Sequence, residues 1–388
     1  MRAETFRVCY FGTYRANYSR NQIMIEGLRS NGVEVIECHE QLWYGIEDRI
    51  QAASGGWMRP AFLWRLLKVY TKLLLKYRRI KDYDVMVVGY PGQLDVFLAR
   101  LLSWVRRKPL VWDVFMSIYL IALERELDKR SRLTVFLIRW LERLACQLPD
   151  MLIIDTPEYA TWFQTTYGVS INRFRLVPTG ADDRIFKPVA KEALNSDGKF
   201  RVVYYGTFIP NHGVEYIIEA ARLLANDHNI HFELIGEGPE KEKAVALARR
   251  YNLRNVEFVG WLDKEELAKR VSSADICLGV FGTTPQSLMT IQNKIYEALA
   301  MSKPVITGDS LAVRKILQHQ KHVFLCERAN PEALAQAILT LYNNPILRRR
   351  IASSGYELFC KQFTSKILGG IYRGYLENII KRRGANAH

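Results

Sequence analysis

Along the first half of the chain, short apolar runs alternate with longer stretches in which apolar positions recur every three to four residues. The runs at residues 6–11, 33–38, 85–88, 110–112, 151–154 and 176–177 predict buried strands, and the periodic stretch 20–31 predicts a helix. Helices between such strands make βαβ units and a parallel sheet. The pattern then repeats, with strands at 202–205, 231–235, 256–258, 276–278, 304–307 and 323–325 and a late helix at 332–342. Between the two halves, residues 178–199 are rich in Pro, Asp and Gly and read as a linker. The expected architecture is α/β, with two Rossmann-like domains facing a central cleft. Residues 1–177 form the first domain, 200–362 the second, and 363–388 a closing helix. Ligands in such sheets bind beyond the carboxyl ends of the strands.

One stretch carries polar chemistry inside this apolar frame. Residues 293–306, NKIYEALAMSKPVI, read as a helix running into a buried strand. Tyr296, Leu299 and Ala300 share one helical face, Pro304 stops the helix, and Val305 and Ile306 begin the strand. Lys294 and Glu297 sit one turn apart at the helix start. A carboxylate and an ammonium there suit a ligand bearing both hydroxyls and phosphate; the same spacing also suits a solvated surface pair. Gly12-Thr13 follows the first strand, where a glycine lets backbone approach a phosphate or sugar or simply forms a turn. Gly236 and Gly238 read the same two ways. Asp113 ends a strand, placed to orient or deprotonate a hydroxyl or to cap the next helix. Asp182-Asp183 lies in the linker and reads as turn chemistry rather than a metal site.

Composition narrows the partners. A chain of 388 residues has room for about two domains, and 49% apolar content fills two cores. The net charge of +15 suits nucleic acid, an anionic membrane or phosphorylated substrates. No zinc-finger spacing, helix-turn-helix or RNA-recognition signature accompanies it, so nucleic acid is not an expected partner. Cys9, Cys38, Cys146, Cys277, Cys326 and Cys360 are widely spaced without a CxxC, which favours a reduced, cytoplasmic setting. The N-terminus enters a strand rather than a signal peptide, and no run approaches the roughly 20 apolar residues that span a bilayer.

Residues 62–79, FLWRLLKVYTKLLLKYRR, put Arg65, Lys68, Lys72, Lys76 and Arg79 on one helical face. Leu66, Val69, Tyr70, Leu73, Leu74 and Tyr77 cover much of the rest, and no acid occurs between Arg49 and Lys81. With Trp57 and Trp64 nearby, this pattern predicts peripheral binding at the inner membrane surface. Each basic residue near anionic lipid contributes about 1 kcal/mol. An ordinary domain helix with a solvated basic face would show the same periodicity.

Five segments stand in a fixed order: VPTGADDRIFKP (177–188), VVYYGTFIPNHGVEYIIEAARLL (202–224), FELIGEGPE (232–240), VEFVGWLDKEELAKRVSSADICLGV (256–280) and NKIYEALAMSKPVI. Together they resemble the C-terminal half of retaining, nucleotide-sugar glycosyltransferases of the GT-B fold, family 4 type. The resemblance implies that Glu297 holds the ribose hydroxyls and that the backbone near Gly260, Trp261 and Leu262 reads the base. It implies Lys294 as the main diphosphate cation, with Asn293 and the amides of Thr290, Ile291 and Gln292 as further donors. The family's phosphate-gripping Arg and Lys are replaced by Thr207 and His212, and the first of its two glutamates, eight positions before Glu297, by Met289. The resemblance also implies that the last helix returns to the first domain, and that neither metal nor cofactor is required beyond the nucleotide sugar. The departing phosphate oxygen would take the acceptor proton. The expected function is sugar transfer to a glycan or lipid-linked acceptor hydroxyl. A sugar-nucleotide epimerase and a non-catalytic membrane-binding subunit are the alternatives.

Overall fold

The structure, a computed structural model, describes residues 6–42, 59–189, 198–227 and 229–385. Trp57 and linker positions 190–197 lie outside the described residues. Contacts divide the chain into two units, Met1–Pro178 with Ser365–His388, and Thr179–Thr364.

In the first unit, β1 (Arg7–Gly12), β2 (Glu34–His39), β3 (Val85–Val88), β4 (Leu110–Asp113), β5 (Met151–Ile154) and β6 (Phe174–Leu176) make one six-stranded sheet in the order β2-β1-β3-β4-β5-β6. Its pairings are parallel throughout. Helices pack on both faces, so the central strands β3, β4 and β5 are buried along their length and apolar but for Asp113 at the end of β4. The chain steps from β1 outward to β2, then returns past β1 to β3. The crossovers into β3, β4 and β5 all advance in one direction. Right-handed connection therefore sets the helices Pro60–Arg78, Asp95–Val105 and Arg132–Gln147 on one sheet face.

Helices Ser19–Ser30 and Ser365–Ala385 pack closely in this unit. Leu368, Tyr372 and Leu376 recur every four residues and are fully buried, each worth roughly 1.5–3 kcal/mol of burial. The helices touch backbone to backbone: a Cβ on Gly369 would collide with the carbonyl of Gly27.

In the second unit, β7 (Phe200–Tyr205), β8 (Ile230–Ile235), β9 (Val256–Val259), β10 (Ile276–Leu278), β11 (Val305–Gly308) and β12 (Phe324–Cys326) run β12-β11-β10-β7-β8-β9. These strands are parallel too. The direction of winding reverses between β7 and β10, where diverging loops open a crevice at the carboxyl edge. Among the described residues, no helix is long and apolar enough to cross a membrane. Five cysteines are buried and free, and Cys360 is free and exposed.

Candidate active site

At the reversal in the second unit, β7 leads into Gly206, Thr207 and the short turn Pro210–His212, while helix Asn293–Ala300 enters from the other side. This helix is amphipathic in an unusual sense: every residue from Lys294 to Ala300 is buried. Lys294 is only 6% exposed, so the solvated surface pair allowed by its spacing does not form. Its Nζ lies 4.1 Å from the centre of the Tyr204 ring and 3.3 Å from His212 Nδ1. Tyr205 holds the helix start by donating its hydroxyl to the Lys294 carbonyl at 2.8 Å. No carboxylate stands at ion-pair distance from Lys294 among the described residues. Burying an ammonium without a paired charge is costly, and an anionic partner would offset that cost.

Burial pushes the Lys294 ammonium well below the usual lysine range, and Glu297 pulls it partly back. Burial also raises the Glu297 carboxyl to about 7, against the opposing pull of Lys264 and Lys294. Burial first, and the Lys294 charge second, hold His212 well below the ordinary histidine range, so its ring is neutral. Its Nδ1 faces the Tyr204 hydroxyl at 2.8 Å as well as Lys294. Helix Asn293–Ala300 has no side-chain N-cap, which leaves its first N–H groups open to a ligand.

The other expected donor residues distribute unevenly. Thr290 and Ile291 are buried, and Gln292 and Asn293 half-buried, at the helix entrance. The Gln292 amide donates to Thr290 Oγ1 at 3.0 Å. Thr207 is half-buried, with its carbonyl accepting from Tyr204 at 3.2 Å. Trp261 is 66% exposed and Leu262 half-buried at the carboxyl edge beyond β9. Gly236 and Gly238 serve packing: a Cβ on either would strike the backbone of Gly206 or Phe208. That contact is by itself sufficient reason for glycine at both positions.

The first unit corrects two further expectations. Thr13 N donates to Asp95 Oδ2 at 2.7 Å, and Tyr70 donates to Asp95 Oδ1 at 2.7 Å. A Cβ on Gly12 would lie 2.5 Å from Asp95 Oδ2. The Gly12-Thr13 turn thus holds an internal carboxylate where a ligand anion was expected. Asp113 is fully buried and forms a double bridge to Arg20, Nε to Oδ2 at 2.9 Å and Nη2 to Oδ1 at 3.1 Å. Arg20 also donates to the Val177 and Pro178 carbonyls at 2.7 and 2.9 Å. Asp113 therefore anchors the end of the sheet instead of standing free as a base. Nor does it cap the next helix, Ile118–Glu124, whose cap is Ser117.

Two buried ionic side chains went unremarked in the spacing. Asp155, just beyond β5, is buried, and burial raises its carboxyl to about 7 against the pull of Arg20 and of the Asp155 and Thr156 N–H groups. A lone acid after a strand gives no sequence signal beyond helix capping. Arg328 donates to the Asp309 and Gly282 carbonyls at 2.7 and 2.8 Å, tying together the loops after β10 and β11. On helix Pro60–Arg78, Val69, Leu73 and Tyr77 face the core. Trp64 is 69% exposed, and Lys68, Lys72 and Arg79 are also exposed. Arg65 lies half-buried, 5.2 Å from the Phe62 ring centre, and Lys76 pairs with Glu40 at 2.7 Å.

Residues 199–344, which contain this crevice, match the family described as Glycosyl transferases group 1. An uncharacterised glycosyltransferase of Methanocaldococcus jannaschii is 29% identical over 195 residues, 50% of this chain and 53% of that protein. The chain thus spans about half the length of that relative. The α-D-kanosaminyltransferase of Streptomyces kanamyceticus is 25% identical over 82% of this chain and 83% of its own. Among solved structures, sucrose-phosphate synthase from Thermosynechococcus elongatus superposes with a TM-score of 0.71 at 19% identity, over 96% of this chain and 100% of that one. Anabaena HepE in complex with UDP gives 0.70 at 15% identity, over 97% and 100%. The fold is GT-B.

Proposed function

We propose that this chain, whose residues 199–344 match the group 1 glycosyl transferases, moves a sugar from a nucleoside-diphosphate sugar to a hydroxyl of a lipid-linked or surface-glycan precursor. Transfer proceeds with retention at the anomeric carbon. The bond from that carbon to the diphosphate oxygen breaks, and a bond to the acceptor oxygen forms on the same face. The acceptor proton passes to the departing phosphate oxygen, so no protein nucleophile is needed.

The single observation that carries this reading is Lys294, a buried cation without a carboxylate at a helix start on the crevice. It meets the charge that grows on the leaving diphosphate, with the neutral His212 ring beside it and the open helix amides as donors. Glu297, whose carboxyl sits near neutrality, accepts ribose hydroxyls when ionised. The backbone by Trp261 and Leu262 lies against the base. This arrangement asks no metal of the protein. The Anabaena structure was obtained with UDP, which supports a uridine donor. Lys68 and Lys72 on helix Pro60–Arg78 and Arg79 at its C-terminal cap, all exposed, hold the protein to the inner, anionic membrane surface where a lipid-linked acceptor is presented.

Calorimetric titration of UDP, GDP and their sugar conjugates tests the donor site. Micromolar binding of one nucleotide, lost in both Lys294→Ala and Glu297→Ala, supports it. A folded protein that binds none of them would sink the proposal.

A further inference from the structure

Helix Arg132–Gln147 is built inside out. Its inward face holds Thr134, Val135, Glu142, Ala145 and Cys146, and the anchor of that face is polar. Glu142 accepts from the Tyr167 hydroxyl at 2.7 Å, the Ile118 N–H at 2.8 Å and the Gln93 amide at 3.2 Å, and from Ser117 Oγ. This buried carboxylate fixes the helix in rotation. The consequence is that Leu133, Phe136, Leu137, Trp140 and Leu144 form a stripe at helical spacing and are all exposed, Phe136 by 55% and Trp140 by 45%. Folding gains nothing from leaving such a stripe in water, and contiguous exposed apolar patches mark contact surfaces.

The stripe does not stand alone. Helices Pro60–Arg78, Asp95–Val105 and Arg132–Gln147 share one face of the first sheet. Tyr70 bonds Asp95 at 2.7 Å between the first two, and Arg100 bonds the Leu148 carbonyl at 2.7 Å between the last two. On these neighbouring helices Trp64 and Leu67, and Leu101 and Trp104, are exposed as well. Arg132, Arg139 and Arg143 line one flank of the stripe at i, i+7 and i+11, all exposed. None has a carboxylate at ion-pair distance among the described residues. Arg143 rests over the Trp140 ring at 5.4 Å and Arg139 over Tyr119 at 5.6 Å.

We infer that the outer face of helix Arg132–Gln147 inserts its apolar stripe among the acyl chains of an anionic phospholipid membrane, while its arginine row binds the headgroups. The charge favours this occupant over a second copy of the chain. A twofold contact through the stripe would bring arginine rows together, whereas a lipid surface offers phosphates along the row and hydrocarbon beneath it. The inference rests on the membrane part of the proposed function and deepens it. Helix Pro60–Arg78 supplies charge, and helix Arg132–Gln147 supplies the hold that salt does not screen.

The test is cosedimentation with phosphatidylcholine vesicles, with and without phosphatidylglycerol, alongside nucleotide calorimetry on the same samples. A Phe136→Asp, Trp140→Asp double variant is expected to bind mixed vesicles at least about tenfold more weakly than wild type. Its circular dichroism and nucleotide affinity should be unchanged. Trp140→Phe, which preserves the packing, should lose part of the fluorescence quenching by brominated lipid. Wild-type vesicle binding by the double variant overturns the inference. So does a dimer in sedimentation that the same substitutions dissociate, which would give the stripe to a second copy. Nucleotide binding that fails while vesicle binding holds strikes the donor site alone.

Discussion

Replacing Lys294 with methionine should stabilise the free protein and abolish its grip on nucleotide. The ammonium is buried with no carboxylate at ion-pair distance among the described residues, and the ordinary lysine value is 10.5. At pH 7 such a group can cost at most about 5 kcal/mol, since beyond that it sheds its proton. Set against this is its place over the Tyr204 ring, 4.1 Å from the centroid, worth up to about 2 kcal/mol when desolvated. Methionine keeps the stem packing and offers a sulfur–aromatic contact of about 1 kcal/mol. The balance favours the variant by roughly 1–3 kcal/mol, or about 2–4 °C in melting temperature per kcal/mol for a unit of this size. Binding moves the other way: losing a buried charge-assisted bond to phosphate costs about 2–5 kcal/mol, so affinity falls about thirtyfold or more. Thermal melts of the free protein and calorimetry with UDP and GDP read both signs. A variant that melts lower yet binds nucleotide as before would refute the reasoning and make Lys294 a structural residue.

Glu297→Gln should remove the weakening of nucleotide binding in wild type as pH falls through about 7. Because the folded-state value lies above the unfolded one, Glu297 stabilises the fold only while protonated, and that contribution is lost as pH rises from about 4.5 through 7. The variant should therefore be more stable than wild type at pH 8, by up to about 3 kcal/mol, and similar at pH 4; urea melts at both pH values check this. Arg20→Ala leaves Asp113 buried without its partner and should destabilise the first unit by about 3–5 kcal/mol. Removing Asp113 as well should recover part of that loss in chemical denaturation. Gly369→Val should separate helices Ser19–Ser30 and Ser365–Ala385 at the cost of at least about 1–3 kcal/mol, seen as a lower melting temperature.

The strands were legible because fully buried parallel strands are continuous apolar runs; VMVV and MLII admit few other readings. Lys294 and Glu297 were legible as polar residues in an otherwise apolar helix. What stayed hidden depends on partners distant in sequence. Gly12 reads as space for a ligand until Asp95, 82 residues beyond Thr13, fills it. Asp113 reads as a free acid until Arg20, 93 residues away, closes on it. The outward apolar face of helix Arg132–Gln147 was hidden for a related reason. Periodicity shows that LTVFLIRWL has a stripe, but only the bonds to Glu142 decide whether the stripe turns inward.

The helix Ser365–Ala385 also sets an order of events during synthesis. Leu368, Tyr372 and Leu376 complete the core beneath β1 and β3, yet the ribosome makes them only after all of Thr179–Thr364. The second unit is one continuous segment and can close as soon as it emerges. The first unit, begun earlier, must wait with an uncovered sheet face until translation has passed its partner. Nascent chains stalled before residue 365 should accordingly present that face to chaperones, and the unit made first should be the last to become resistant to protease.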